Sequence, residues 1–325
     1  MSSRLPVLSK AQRKEARTVA YGHLVACYFH TLAFLTWLVV GLVANAESNK
    51  NLLEITLELD AENELPSYDL FWTAVWVPLI AALFHALQYH SFSRLFKQQN
   101  QGRFDPALVG LGFGLYPEVL GTLVGCPLSL FLDMPISAHA YDSVINGVNK
   151  IRWIEYSISA SFLTWNVVVL SGIVNVWAAL VIAVLGNVVL QYTGYRTEKA
   201  LSTAYSKEKK KDRYLSAFRD GGKAWLWFII GFLVFAAQWI PTIVVFYQSV
   251  EEAEEASNVV PDFVFALIWI IFGLYLLFPL VFVFFYLFSI GERTFYSISF
   301  IVLSFVSKAA LDAIIIIGAI TERED

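Results

Sequence analysis

Long apolar runs, more than any other feature, limit what this chain can fold into. Seven of them recur, at 18–44, 70–93, 152–172, 174–195, 224–248, 263–289 and 294–320. About 20 mostly apolar residues are what an α-helix needs to cross the hydrocarbon of a bilayer. A backbone in lipid must satisfy its own hydrogen bonds, which leaves helices as the fold for such runs. Composition agrees, since 57% of the 325 residues are hydrophobic where soluble domains hold about 45–50%. The expected fold is therefore an all-α, multi-pass membrane protein with seven transmembrane helices, a single domain over 1–325 without room for a separate catalytic domain. The lipid bilayer is its expected surroundings, and nothing suggests an enzyme, a metal site or a nucleic-acid partner. Cys27 and Cys126 lie in apolar runs and are expected as free, buried thiols. The first apolar run is too long for a cleaved signal segment, so it is expected to stay as a span.

Charge sets the orientation. Arg4, Lys10, Arg13, Lys14 and Arg17 precede the first run. Arg94, Lys97 and Arg103 follow the second, and nine Lys and Arg residues crowd 196–223. The 46–69 and 249–262 connections are acidic instead. Lys and Arg favour the cytoplasmic side, so seven spans put the N-terminus inside and the C-terminus outside or in a lumen. An eighth apolar stretch, 106–132, is interrupted by five glycines and two prolines and carries Glu118. Were it to cross, the most basic connection would land outside. It is expected as a non-spanning insertion on the cytoplasmic side, within a long 94–149 connection. In the first outer connection, Leu53, Ile55, Leu57 and Leu59 alternate with Glu54, Thr56, Glu58 and Asp60. Period two predicts a β-strand or ribbon there.

Charged groups within spans are costly, about 2.5–3.5 kcal/mol each on insertion scales. Lys308 lies midway along the last run, too deep to reach an interface easily. Burial favours its neutral, nucleophilic amine, the form that condenses with an aldehyde. Glu155 is the candidate anion to face the resulting cation, and Arg152, three residues before it, shares its helix face. An Arg152–Glu155 structural pair is the competing reading. Ser304 and Asp312 flank Lys308 by one turn on the same face. His23, His30 and His85 lie in the first two runs without the Cys or acidic company of a metal site. Trp239, Phe272 and Tyr275 are candidates to line an apolar slot for a conjugated ligand.

The run from Arg152 to Ser161, RWIEYSISAS, resembles the third-helix signature of the heliorhodopsins, and Leu303–Lys308, LSFVSK, resembles their seventh-helix lysine motif. The resemblance implies a rhodopsin-like seven-helix bundle that binds all-trans retinal as a Schiff base on Lys308, with Glu155 as counterion and Ser304 beside the linkage. It implies an inside N-terminus and a stranded first outer connection that helps join a homodimer. His85 resembles the histidine of the family's inner polar cavity, with either His23 or His30 as its first-helix partner. The chain departs from the family in its long 94–149 connection. Where the family often carries a glutamate near the inner end of the fourth helix, Gln191 is the residue in a comparable setting. Asp312 matches no family hallmark. The resemblance points to a light sensor with a slow photocycle read by an unknown cytoplasmic partner. The competing class is a light-driven proton transporter or light-gated proton channel, for which Glu155 and Asp312 would supply acids on the two sides of Lys308.

Overall fold

The structure, a computed structural model, describes residues 7–48, 54–55, 58–60, 63–64, 68–98, 117, 119–123, 136–207, 222–287 and 293–321. Its helices are α1 (Lys10–Ser48), α2 (Leu70–Gln98), α3 (Ile136–Asn146) and α4 (Lys150–Leu170). α5 begins at Val176–Ala179, widens into a π-helical turn at Leu180–Leu185 and continues through Gly186–Lys207. α6 (Gly222–Glu255), α7 (Asp262–Phe282, then a π-helical turn at Val283–Leu287) and α8 (Arg293–Thr321) complete the bundle.

Local chemistry starts these helices where the sequence supplies caps. Ser9 and Gln12 cap α1 reciprocally: the Ser9 N–H donates to Gln12 Oε1 at 2.9 Å and the Gln12 N–H to Ser9 Oγ at 3.3 Å, a capping box. Asn149 caps α4 by accepting from the Arg152 N–H. Asn175 caps α5 by accepting from the N–H groups of Trp177 and Ala178. The α4–α5 turn needs Gly172 at φ +94°, a conformation disfavoured for other residues. The π-helical turn of α5 is held from α6, where Gln238 Nε2 donates to the Ile182 carbonyl at 2.7 Å.

Two apolar clusters fix the direction of the helices. Ala16, Val19 and Leu24 of α1 pack with Phe92 and Phe96 of α2 and with Ala140 and Val144 of α3. Trp153 of α4, Leu201 of α5, Ala224 of α6, Phe282 of α7 and Tyr296 and Phe300 of α8 form a second cluster. Hydrogen bonds from Asn149 to both Gln88 and Glu198 tie the two together. One end of the bundle thus gathers the starts of α1, α4, α6 and α8 and the ends of α2, α5 and α7. It carries Lys10, Arg13, Lys14, Arg17, Arg94, Lys150, Lys199 and Lys223, and is here called the basic end. The opposite, acidic end carries Glu251, Glu252, Glu254, Glu255 and Asp262. The connection from α2 to α4 therefore leaves and returns at the basic end, with α3 packed against α1 and α2. Most of 106–132 lies outside the described residues. Within it, residues 119–123 are helical, and a Cβ on Gly121 would sit 2.5 Å from the Ala86 carbonyl oxygen, so that piece lies directly against α2.

Two expectations about the fold are corrected. Six helices among the described residues are long and apolar enough to cross a membrane, not seven. The expected span at 152–172 is the exception. It forms the long helix α4, but Lys150, Arg152 and Glu155 and a series of Ser, Thr and Asn residues dilute its apolar character. Its polar face is turned inward, where most of the helix is buried. The spans around it show the reverse: in α6 only 22% of the most apolar window is buried, against 67% in α2. α6 thus shows its apolar surface outward, as a lipid-facing helix does, and α2 is an interior one. The β-ribbon expected from alternation at 53–60 is likewise not formed. The described residues there hold only bridged pieces of two or three residues, Glu54–Ile55 against Tyr68–Asp69 and Glu58–Asp60 against Asn63–Glu64, with an irregular register in the second. Such pieces fall short of an ordinary strand.

Candidate functional site: a buried lysine at the wall of an aromatic cavity

Lys308 is enclosed at mid-length of α8, 1% exposed. Its Nζ donates to Glu155 Oε1 of α4 at 2.7 Å and to Ser304 Oγ, one turn back on its own helix, at 2.6 Å. Ser304 Oγ in turn donates to Glu155 Oε1 at 3.4 Å. Glu155 is also 1% exposed, and its second oxygen accepts from Gln88 Nε2 of α2 at 3.4 Å. A buried ion pair survives desolvation only when its remaining hydrogen-bonding capacity is met, and Ser304 and Gln88 meet it here.

A second buried ion pair stands one turn nearer the basic end. Arg152 of α4 bonds to Glu198 of α5. Glu198 is fully buried and also accepts from Trp153 Nε1 at 2.7 Å, Tyr296 OH at 3.0 Å and the Asn149 N–H at 3.1 Å. The Arg152 guanidinium lies 4.2 Å from the centre of the Phe300 ring, a cation–π contact. Arg152 and Glu155 share a face, yet each meets an opposite charge on a different helix. Glu198 escaped the sequence reading because it sits in the charged run Arg196–Lys199, which looks like a solvated helix end. The signal was its place two turns after Gln191, on the same side of α5.

The histidines line up beside this site. His23 Nδ1 and His85 Nδ1 are 2.9 Å apart, and the rings of His30 and His85 stack with centres 5.3 Å apart. Both first-helix histidines therefore touch His85. All three are at most 2% exposed. Three residues on from His85, Gln88 bonds to Glu155.

On its other side, Lys308 forms part of the wall of a cavity. Tyr156, Phe228, Phe232, Phe235, Tyr275 and Phe278 give that wall its aromatic character, and Gln191, Ser304 and Ser307 add a few polar atoms. Gly194 and Gly231 also line it. A Cβ on Gly194 would come within 2.4 Å of the Trp153 ring, so the glycine is what lets that indole lie flat against α5. Of the three aromatic candidates from sequence, Tyr275 lines the cavity. Its hydroxyl lies 2.9 Å from Thr164 Oγ1. Trp239 and Phe272 stand behind it: Trp239 packs on Tyr275 and Phe272, with ring centres 5.7 and 5.2 Å apart. Asp312, one turn past Lys308, is completely buried, and neither carboxylate oxygen meets a hydrogen-bond partner among the described residues. Cys27 is buried and free.

A primary amine in the wall of an aromatic cavity, matched to a buried carboxylate, fits an apolar aldehyde. Comparison with known families agrees: the heliorhodopsin family matches residues 126–320, more than half of the chain and all of α3 to α7. The chain belongs to the heliorhodopsin family. It is thereby a retinal-binding, light-responsive integral membrane protein. No curated protein matches the chain. The residues present fit retinal: Lys308 offers the amine, Glu155 and Ser304 hold it from one side, and the aromatic wall offers an apolar slot on the other.

Proposed function

We propose that this heliorhodopsin is a light sensor that carries all-trans retinal on Lys308 and signals through a slow photocycle. The observation that carries the reading is the Lys308–Glu155 bridge at 2.7 Å, enclosed at the wall of the aromatic cavity. Retinal joined to Lys308 Nζ as a Schiff base supplies the visible absorption and the photoisomerisation. Glu155 is the counterion, stabilising positive charge at that nitrogen in a site that excludes water. Ser304 fixes the direction of the nitrogen's proton. The cavity aromatics would line the ligand's slot, with Tyr275 anchored by Thr164 and backed by Trp239 and Phe272. Gln88 holds Glu155 from α2, and the His85–His23 contact beside it leads towards the start of α1, a route by which a change of charge at Glu155 reaches the basic end. Arg152, held by Glu198, keeps a fixed positive charge beside that route.

The basic end faces the cytoplasm in this reading, following the bias of Lys and Arg. The N-terminus is then inside, and a cytoplasmic partner reads the photocycle there. The protein acts as a homodimer, as its family resemblance implies. Adding all-trans retinal to the purified apoprotein should produce a visible absorption band that Lys308→Ala lacks. Absence of a band in the wild-type protein would rule the reading out.

A further inference from the structure

Asp312 is, among the described residues, a buried carboxyl-bearing residue that the sensor reading leaves without work. It stands four residues beyond Lys308, one turn of about 5.4 Å towards the acidic end. It is 0% exposed, and both of its carboxyl oxygens lack a partner among the described residues. Its neighbours along α8, Leu311 and Ile315, belong to an apolar cluster with Ala74 and Val77 of α2 and Leu267, Ile268 and Ile271 of α7. A carboxylate ion in such surroundings would be prohibitively costly, so the group rests as the neutral acid. Side chains on a helix lean towards its N-terminus. Asp312 therefore leans towards the stem of Lys308. The Lys308 amine meanwhile reaches away, to Ser304 and Glu155. The nitrogen thus has a carboxylate on its basic side and a neutral acid on its acidic side.

A second residue extends this arrangement. Asn166 of α4 lies eleven residues beyond Glu155, three turns on and on the same helix face. It is 0% exposed, and both its amide oxygen and nitrogen lack partners among the described residues. Buried polar atoms nearly always find a hydrogen bond, and internal water is the usual provider where protein does not. Asp312 and Asn166 mark polar positions of this kind on the acidic side of Lys308.

We propose that Asp312 is a proton donor that replenishes the nitrogen at Lys308 from the acidic end of the bundle. The inference rests on the reading of Lys308 as the retinal-bearing residue. After light, the nitrogen's proton leaves towards Glu155 and the histidines. The Asp312 O–H bond then breaks and its electron pair stays on the carboxylate, while a new N–H bond forms at Lys308. The Asp312 carboxylate recovers a proton from water at the acidic end, along the side that Asn166 marks.

The test has two readouts. In the retinal-free protein in lipid at neutral pH, the infrared C=O stretch of a protonated carboxylic acid should be present and should vanish in Asp312→Asn. Identical spectra of wild type and variant would overturn the proposal without touching the retinal reading. In the pigment, flash photolysis should show the nitrogen regaining its proton at least tenfold more slowly in Asp312→Asn, with the rate restored by Asp312→Glu or by added azide as a small proton carrier. An unchanged rate overturns the donor role. Should Asp312→Asn not fold, Asp312→Glu keeps an acid and must shift the same infrared band, and an unshifted band is equally fatal. A wild-type protein that shows the band but forms no pigment defeats the retinal reading, and the donor role with it.

Discussion

Arg152 and Glu155 stand one turn apart on the same face of α4, and each is bound to an opposite charge on a different helix, Glu198 of α5 and Lys308 of α8. Residues at i and i+3 with opposite charge would pair with each other on an isolated helix. Here two further charges, each fully buried, draw them apart. The result is two ion pairs stacked along the bundle axis, which hold α4, α5 and α8 in register. A change of charge at Glu155 is felt at once by Lys308, and Gln88 links it to α2.

The first consequence concerns Lys308. Removing one member of a buried pair leaves its partner's charge uncompensated, which costs about 3–5 kcal/mol. Lys308→Ala should give a colourless protein of reduced stability. Lys308→Met combined with Glu155→Gln should stay colourless but recover most of the loss, since a buried pair can be replaced by neutral residues at little cost. Absorption after retinal addition and thermal unfolding in detergent check both halves. A coloured Lys308→Ala protein would mean that the ligand is held elsewhere.

Glu155 gives the second. A carboxylate beside a protonated nitrogen stabilises the charged form. Glu155→Gln should move the absorption to longer wavelength, and its nitrogen should lose the proton at lower pH than in wild type. A pH titration of the visible spectrum checks the direction. A spectrum and titration both identical to wild type would assign the counterion to another residue.

Legibility in the sequence followed how far a residue's role depends on its own surroundings. Lys308 could be read from its helix alone, because a lysine in the middle of an apolar run is too costly to keep without a chemical use. Glu155 followed from the motif around it. α4 was read as one more span, since its length matched, but its polar face serves the interior and its composition falls short of the other six. The strand expected at 53–60 failed because alternating Leu and Glu need a partner strand of matching length, and the paired pieces are two or three residues long. Glu198's place two turns after Gln191 hinted at an inward face, but only the fold brings α5's end under Arg152, Trp153 and Tyr296. Trp239 and Phe272 are in the expected region, but period alone could not say which aromatic faces the cavity and which supports the one that does.

Glu198 gives the third expectation. It satisfies Arg152, Trp153 Nε1, Tyr296 OH and the cap of α4 at once. Glu198→Gln should therefore destabilise the protein by about 3–5 kcal/mol, the range for a broken buried pair. Glu198→Gln with Arg152→Met should be milder than the sum of the two single changes, because the double change leaves no lone charge. A double-mutant cycle on unfolding free energy measures the coupling. Strict additivity would mean that the pair contributes nothing.

The short helix α3 supplies a dependence on pH. His139 is 4% exposed, and burial, reinforced by the nearby charge of Lys150, lowers its pKa below the usual 6.5, with Asp142 opposing. The unfolded chain then binds the His139 proton more readily than the folded one, so stability rises with pH through that interval. The contribution is complete above about pH 6.5 and is lost as pH falls through the lowered folded value. His139→Gln should flatten this part of the stability profile below about pH 6.5. Hydrogen exchange of α3 amides, compared across that range in the two proteins, would detect it. Equal slopes would show that His139 is protonated alike in both states.

Topology gives the last expectation. The basic end collects Lys10, Lys14, Lys199 and Lys223 and the end of α3, where the Asn146 carbonyl accepts from Ser202 of α5, and the acidic end collects Glu251, Glu254 and Asp262. If the basic end faces the cytoplasm, a cysteine placed at Glu254 should react with an impermeant thiol reagent added to intact cells, and one at Lys10 should not. Asp142 decides the path of the 94–149 connection. It lies in α3, which packs on α1 and α2 at the basic end, so a cysteine there should be protected until the membrane is opened. Cys27 is buried and gives little background, and replacing Cys126 with serine removes the other native thiol. Labelling of the Lys10 site from outside, with protection at Glu254, would invert the orientation. It would also send the histidine side of Glu155 towards the exterior, leaving a cytoplasmic partner without the face through which the site is connected.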